Sequence, residues 1–223
     1  MEERVRIFSI GLITRDVLQI FTTKPPKWEF VPGQATEISI DKRGWENERR
    51  PFTFTSLPDD EFLQFTIKTY ASRRGVTNEL LSLKKDDHLI LHDIFGAIAF
   101  RGDGTFIAGG AGVTPFISIL RHLRFRNEAG GSILLFSNKT SDDIIMKYEF
   151  GRMLGRNFIN TLTGEKNEKF LFGHIDRELL QKYVPDFSKP VYLCGPPDMQ
   201  AAIERYLSEL GFDMKLLVKE EDA

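Results

Sequence analysis

Cysteine occurs once in 223 residues, as Cys194, which excludes an internal disulfide, a thiolate-held iron–sulfur cluster and a structural zinc site built on several cysteines. So little cysteine fits a reducing compartment, and a cytoplasmic location is the expectation. Long apolar runs are missing too: the longest, such as residues 94–100, fall far short of a bilayer span. The start, Met1-Glu2-Glu3-Arg4, is acidic where a secretory leader needs basic residues, so a soluble protein without membrane insertion is expected. Nor is there an excess of charge of one sign. The formal net charge is -2 and the pI near 6.1, with acidic and basic residues interspersed, leaving no field to attract nucleic acid. Of the four histidines, His88 and His92 share a strand face but no third ligand stands nearby, so no metal site is expected. Tyrosine is scarce beside phenylalanine, 5 against 19, and most of the phenylalanine is assigned to core.

What is present falls into two patterns. Up to about residue 101 the chain consists of short runs with period-two alternation or β-branched content, at residues 5–10, 17–21, 36–40, 51–55, 62–69 and 89–91. Many short strands close together predict an antiparallel β-barrel. One helix interrupts them over residues 78–83, with Thr77 as its cap. From about Thr105 strands alternate with helices, the pattern of a parallel sheet with crossover helices. Strands are expected at residues 106–108, 132–136, 157–162, 191–193 and 215–218, and helices at 115–126, 144–154, 177–183 and 199–210. The turn chemistry of Arg101-Gly102-Asp103-Gly104 places the boundary there, giving domains 1–101 and 102–223.

Three segments, in order, carry chemistry. In Arg50-Pro51-Phe52-Thr53 a strand puts Arg50 and Phe52 on one face: the guanidinium fork matches phosphate oxygens, the ring can stack on an isoalloxazine, and Thr53 can reach the polar edge of a flavin. The same residues also fit a core phenylalanine beside a surface ion pair. Gly75-Val76-Thr77 opens the single helix of this half, where backbone amides and a glycine offer an anion site for a flavin pyrophosphate; an ordinary capped helix is the plainer alternative. Gly109-Gly110-Ala111-Gly112-Val113-Thr114-Pro115 lies between an apolar strand and an apolar helix, the context of a dinucleotide-phosphate turn, with Thr114 as cap and Pro115 in the first turn. It departs from G-x-G-x-x-G because Pro115 stands in place of the last glycine. Cys194-Gly195-Pro196-Pro197-Asp198-Met199 follows a buried-type strand, at the sheet end where open α/β folds bind ligands. Cys194 there is either near the reacting carbon of a nicotinamide, with Met199 beside the nucleotide, or a small buried hydrophobe.

Together these segments resemble the ferredoxin-NADP reductase family over essentially the whole chain. Pro32-Gly33-Gln34 matches its P-G-Q turn, residues 50–53 its R-x-[YF]-[ST] and 75–77 its flavin-phosphate loop, while 110–115 match G-x-G-x-T-P and 194–199 match C-G-P-P-x-M. The resemblance implies an N-terminal barrel binding FAD, a C-terminal domain binding NADH or NADPH, and a reaction cleft between them. It implies hydride transfer to flavin and onward electron transfer to a carrier such as ferredoxin, flavodoxin or a cytochrome. Thr53, Thr114 and Cys194 would lie at the reacting rings; Arg50, Pro51, Phe52, Gly75, Val76 and Thr77 would hold FAD. Gly110, Gly112, Pro115, Gly195, Pro196, Pro197 and Met199 would hold the dinucleotide. The stretch ending in Asp143 resembles the F-x-N-x-T-x-x-D of microsomal NADH-cytochrome reductases, which implies that Asp143 favours NADH; Lys139 and Lys147 argue the other way. Two other activities fit the same motifs, a ferric-chelate or free-flavin reductase and a flavin-binding electron-transfer subunit of a larger complex.

Overall fold

The computed structural model describes residues 2–70, 74–96 and 98–220. In the first half, period-two patterning sends alternate side chains inward along β1 (Glu3–Thr14), β2 (Val17–Thr23), β3 (Ala35–Ile40), β4 (Arg50–Thr53) and β5 (Phe62–Lys68), and again, after the short helix α1 (Val76–Glu79), along β6 (His88–Phe95). Val5, Ile7, Leu18, Ile20, Ile38, Ile40, Leu63, Phe65, Ile67, Leu89 and Leu91 all reach one buried core, into which α1 inserts Val76. The strands form one antiparallel sheet in the order β4-β3-β6-β1-β2-β5, and a bridge between Phe54 and Phe65 joins its two edges into a barrel. Inside, Phe30 stacks on Phe54 with ring centroids 4.2 Å apart.

The second half alternates as the sequence predicts: β7 (Thr105–Gly109), α2 (Thr114–Phe125), β8 (Ile133–Asn138), α3 (Lys147–Leu154), β9 (Phe158–Leu162), β10 (Leu171–Phe172), α4 (Arg177–Tyr183), β11 (Val191–Cys194), α5 (Pro197–Glu209) and β12 (Leu217–Lys219). All pairings are parallel, in the order β10-β9-β8-β7-β11-β12. Phe106 and Ala108 of β7 face a core shared with α2 and α3, while Ile107 faces one shared with α4 and α5, so helices cover both faces. Two boundaries differ from expectation. Residues 141–143 form a separate 3₁₀ turn and Met146 sits at φ 54°, so α3 begins at Lys147 rather than at residue 144. The two-residue β10 carries too little alternation to be read from sequence.

The halves share a core. Val17 of β2 and Ile98 pack with α2, and the N–H of Gly33 donates to Ser118 Oγ of α2 at 3.0 Å. Gly33 sits at φ +95°, and a Cβ there would lie 1.9 Å from the Ile98 carbonyl, so the Pro32-Gly33-Gln34 turn admits no side chain. A second link is Arg121 of α2. Its Nε and Nη2 meet both Glu149 carboxylate oxygens at 2.5 and 2.8 Å, while Nη1 donates across to Thr55 O at 2.5 Å and Gln64 Oε1 at 2.9 Å.

Candidate active site

From β7 the chain steps outward to β8, β9 and β10, then returns on the other side of β7 as β11 and β12. The strand order therefore reverses between β7 and β11, and at such a switch point the loops leaving the carboxyl ends of the two strands diverge and open a crevice for ligands. The loops that leave here are the two motif segments, Gly110 to Thr114 after β7 and Gly195 to Pro197 after β11. They interlock through backbone. A Cβ on Gly112 would fall 2.3 Å from Cys194 O, one on Gly109 2.5 Å from Met199 Sδ and 2.8 Å from Pro196 Cδ, and one on Gly195 3.1 Å from Gly109 N. Gly110, at φ +52°, instead faces open space with nothing within 4 Å of its Cβ position, so backbone is exposed where a phosphate would approach.

Thr114 is not the cap of α2. The 3₁₀ turn Gly110–Val113 runs straight into the helix, the capping position is Val113, and the Thr114 hydroxyl donates to Ala111 O at 3.0 Å, bracing the turn. Pro115 occupies the first turn. On the facing loop Pro196 and Pro197 lead into α5, Gln200 Nε2 donates to Gly195 O at 2.9 Å, and Met199 packs against Gly109. Burial pushes the Cys194 thiol up to about 12, helped by the negative charge of Glu220, so it stays a neutral thiol at physiological pH.

In the barrel, β4 is an edge strand paired only to β3, with Arg50 opposite Ile38 and Thr53 opposite Ala35. Phe52 is half-buried against the barrel core, whereas Pro51 and Arg50 are exposed. The Arg50 guanidinium donates to the adjacent Arg49 carbonyl at 2.6 Å and stands 3.7 Å from the Glu48 carboxylate. That donor set, on an open edge, fits a pyrophosphate. Nearby in sequence, Thr77 does not cap its helix: Gly75 takes the capping position with no side-chain bond, and Thr77 lies inside the first turn. The Cβ position of Gly75 meets nothing within 4 Å, so this turn too presents bare backbone.

Asp143 is directed elsewhere than the resemblance implies. It is 7% exposed; Oδ2 accepts from Thr140 N at 3.0 Å and from Thr140 Oγ1 at 2.8 Å, and Oδ1 lies 2.9 Å from Arg15 Nε, which reaches over from the barrel. A ribose hydroxyl finds no free acceptor there. Sequence reading missed Ser118, Arg121, Gln200 and Glu165, none of which belongs to a short motif. Glu165, in the loop after β9, accepts from Ser141 N at 2.6 Å, Ser141 Oγ at 3.1 Å and Asn167 Nδ2 at 2.6 Å. Among the described residues no three His, Cys, Asp or Glu side chains converge as a metal set, and no helix is long and apolar enough to cross a membrane.

Comparison with known proteins agrees with this division. Residues 2–108 match the family model of an FAD-binding domain and residues 106–205 that of an oxidoreductase NAD-binding domain. The NADH oxidoreductase HCR of Escherichia coli (strain K12) is 29% identical over 218 residues, covering 93% of this chain and 65% of that protein. The glycine betaine monooxygenase reductase subunit of Pseudomonas aeruginosa is 29% identical over 205 residues, covering 86% and 56%. The chain thus spans less than two thirds of the length of either. A ferredoxin NADP+ reductase from Neisseria gonorrhoeae, solved with FAD and NADP bound, superposes with a TM-score of 0.82 at 18% identity, covering 98% of both chains. With an FAD-binding and an NAD-binding domain in series on this two-domain fold, the chain belongs to the NAD(P)H-dependent flavin oxidoreductases of the ferredoxin-NADP reductase and cytochrome b5 reductase family.

Proposed function

We propose that this chain takes a hydride from NADH or NADPH onto FAD and passes the electrons to a protein carrier such as a ferredoxin, flavodoxin or cytochrome. The observation that carries the reading is the interlock of the two motif loops at the sheet's switch point, on an α/β domain latched to an FAD-type barrel by α2. FAD, when bound, supplies the chemistry that joins a two-electron donor to a one-electron acceptor. The residues of the chain hold and orient. Arg50 is assigned to the FAD pyrophosphate together with the bare backbone at Gly75, Val76 and Thr77, with Pro51, Phe52 and Thr53 along the flavin ring. Gly110, Gly112, Thr114 and Pro115, with Gly195, Pro196, Pro197 and Met199, form the walls of the dinucleotide crevice. Cys194 contributes a neutral, partly buried thiol, which packs against a ring without adding charge. We set the domain boundary after Arg101, where Tyr192 Oη accepts from Arg101 N at 2.8 Å and donates to Gly102 O at 2.7 Å, and we assign the protein to the cytoplasm on its cysteine content.

A reductase-subunit role within a larger assembly is favoured over free-flavin or ferric-chelate reduction by the Pseudomonas relative, a monooxygenase reductase subunit of which this chain spans 56%. The test is extraction and identification of the flavin, followed by anaerobic bleaching of its absorption with NADH and NADPH and turnover on a panel of acceptors. FAD released on denaturation and protein-carrier turnover above that with ferric chelates or free flavin are the expected results. Colourless protein that binds no added flavin overturns the proposal.

A further inference from the structure

We infer that Glu165 sets the dinucleotide preference: its carboxylate occupies the donors at the end of β8 that a 2′-phosphate needs, so the site takes NADH and turns NADPH away. The inference rests on reading the α/β domain as the dinucleotide site.

In open parallel sheets the adenosine ribose meets the carboxyl end of the strand beside the one that carries the glycine-rich turn. Here that strand is β8, in register with β7 through Gly109 opposite Ser137 and ending at Asn138. The chain then passes Lys139 and Thr140 to Ser141. Alongside it runs the loop after β9, tied by Thr163 N to Asn138 O at 2.9 Å and by Gly164 N to Lys139 O at 2.8 Å. Those two bonds bring the next residue, Glu165, onto Ser141, where the carboxylate takes both the backbone N–H and the hydroxyl. An N–H and a hydroxyl converging on one point are what a phosphate oxygen would otherwise receive.

The charge of this group is secure, since the bond from Ser141 N–H, and then that from Asn167, hold its carboxyl below the usual range. A phosphate dianion arriving there meets an ionised carboxylate and donors already in use, whereas a ribose hydroxyl can donate to that carboxylate. The neighbouring charges do not cancel the effect. Lys147 Nζ sits over the Phe170 ring at 4.9 Å from its centroid, Lys139 is exposed, and the other acid of the segment, Asp143, is bound to Thr140 and Arg15.

The experiment is calorimetric titration of the FAD-loaded full chain with 5′-AMP and with its 2′-phosphorylated form, for wild type, Glu165→Gln and Glu165→Ala, each first checked for its melting transition. Wild type is expected to bind 5′-AMP at least about tenfold more tightly, and Glu165→Ala to close most of that gap through tighter binding of the 2′-phosphorylated nucleotide. Glu165→Gln retains an acceptor for Ser141 and loses only the charge; it closes part of the gap and decides the matter if the alanine variant does not fold. The NADH-to-NADPH ratio of kcat/KM with ferricyanide should shift in the same direction. A wild type that binds the 2′-phosphorylated nucleotide equally well or better, or a gap unchanged in the folded variants, overturns the inference and leaves the dinucleotide reading standing. If wild type binds neither nucleotide, the dinucleotide reading fails and this inference with it.

Discussion

The barrel and the α/β domain build their candidate sites from opposite parts of the chain. On the barrel, β4 offers side chains: an exposed arginine and a half-buried phenylalanine on an open sheet edge, with few contacts that the fold depends on. On the α/β domain the candidate site is backbone, two loops pressed together so closely that Gly109, Gly112 and Gly195 have no room for a methyl group. A site made of side chains can lose its ligand and keep its fold, while a site made of packed backbone loses both together.

The largest expected effect tests the backbone half. Gly112→Ala sets a Cβ 2.3 Å from the Cys194 carbonyl, which cannot swing away as a side-chain end can, so the loops must part; destabilisation of about 3 kcal/mol or more is expected in thermal or urea unfolding. Gly75→Ala is the control, since its Cβ position is empty and its φ of 162° is extended backbone open to any residue. It should stay within about 0.5 kcal/mol of wild type. Equal losses at the two glycines would dissolve the comparison.

Next comes the joint between the halves. Arg121→Ala removes a two-pronged ion pair with Glu149 and two bonds to the barrel, leaving a carboxylate, the Thr55 carbonyl and Gln64 Oε1 short of a donor; a loss of about 2 to 4 kcal/mol is expected. Because the lost bonds cross between domains, the unfolding curve should broaden or split as the two domains uncouple, and a single sharp transition would show that the shared core around Val17 and Ile98 suffices.

Arg50→Ala tests the side-chain half. Its partners are the neighbouring carbonyl and a carboxylate 3.7 Å away on an exposed surface, so apoprotein stability should hardly change. FAD affinity, measured by equilibrium dialysis, should fall by about 2 kcal/mol, or roughly 30-fold. Unchanged FAD retention would make Arg50 a surface residue only.

The contrast also explains what was legible in the sequence. Strand and helix positions emerged because alternation and helical spacing are local, and both glycine-containing motifs emerged because backbone contact demands glycine or proline at fixed places. Arg121 and Ser118 gave no signal, since an arginine or serine on an amphipathic helix looks the same whether it meets water or another domain. Thr77 and Thr114 were expected to cap helices, yet each lies one or more residues inside, because a preceding glycine or a 3₁₀ turn starts the helix earlier. Asp143 fits a motif, but its chemistry is fixed by Arg15, 128 residues away in sequence, and no local pattern carries that.

The smallest expected effect concerns Cys194, where the two halves of the comparison meet in one residue: its backbone is clamped against Gly112, and its side chain is the one assigned to the proposed crevice. Its thiol titrates at about 12 in the folded chain and near 9 in an unfolded one, because burial disfavours the thiolate. Above pH 9 the unfolded state therefore binds fewer protons than the folded state, so this residue's contribution to stability is complete below pH 9 and declines as the pH rises toward 12. Cys194→Ala has no such group. The difference in melting temperature between wild type and Cys194→Ala should accordingly be constant from about pH 6 to about 8.5 and then move against the wild type as the pH rises. Below about pH 8.5 the native thiol should also resist iodoacetamide, since alkylation needs the thiolate. Fast alkylation of the folded protein at about pH 8 would mean an exposed, acidic cysteine, and the neutral-thiol role assigned to it beside the nicotinamide would have to be withdrawn.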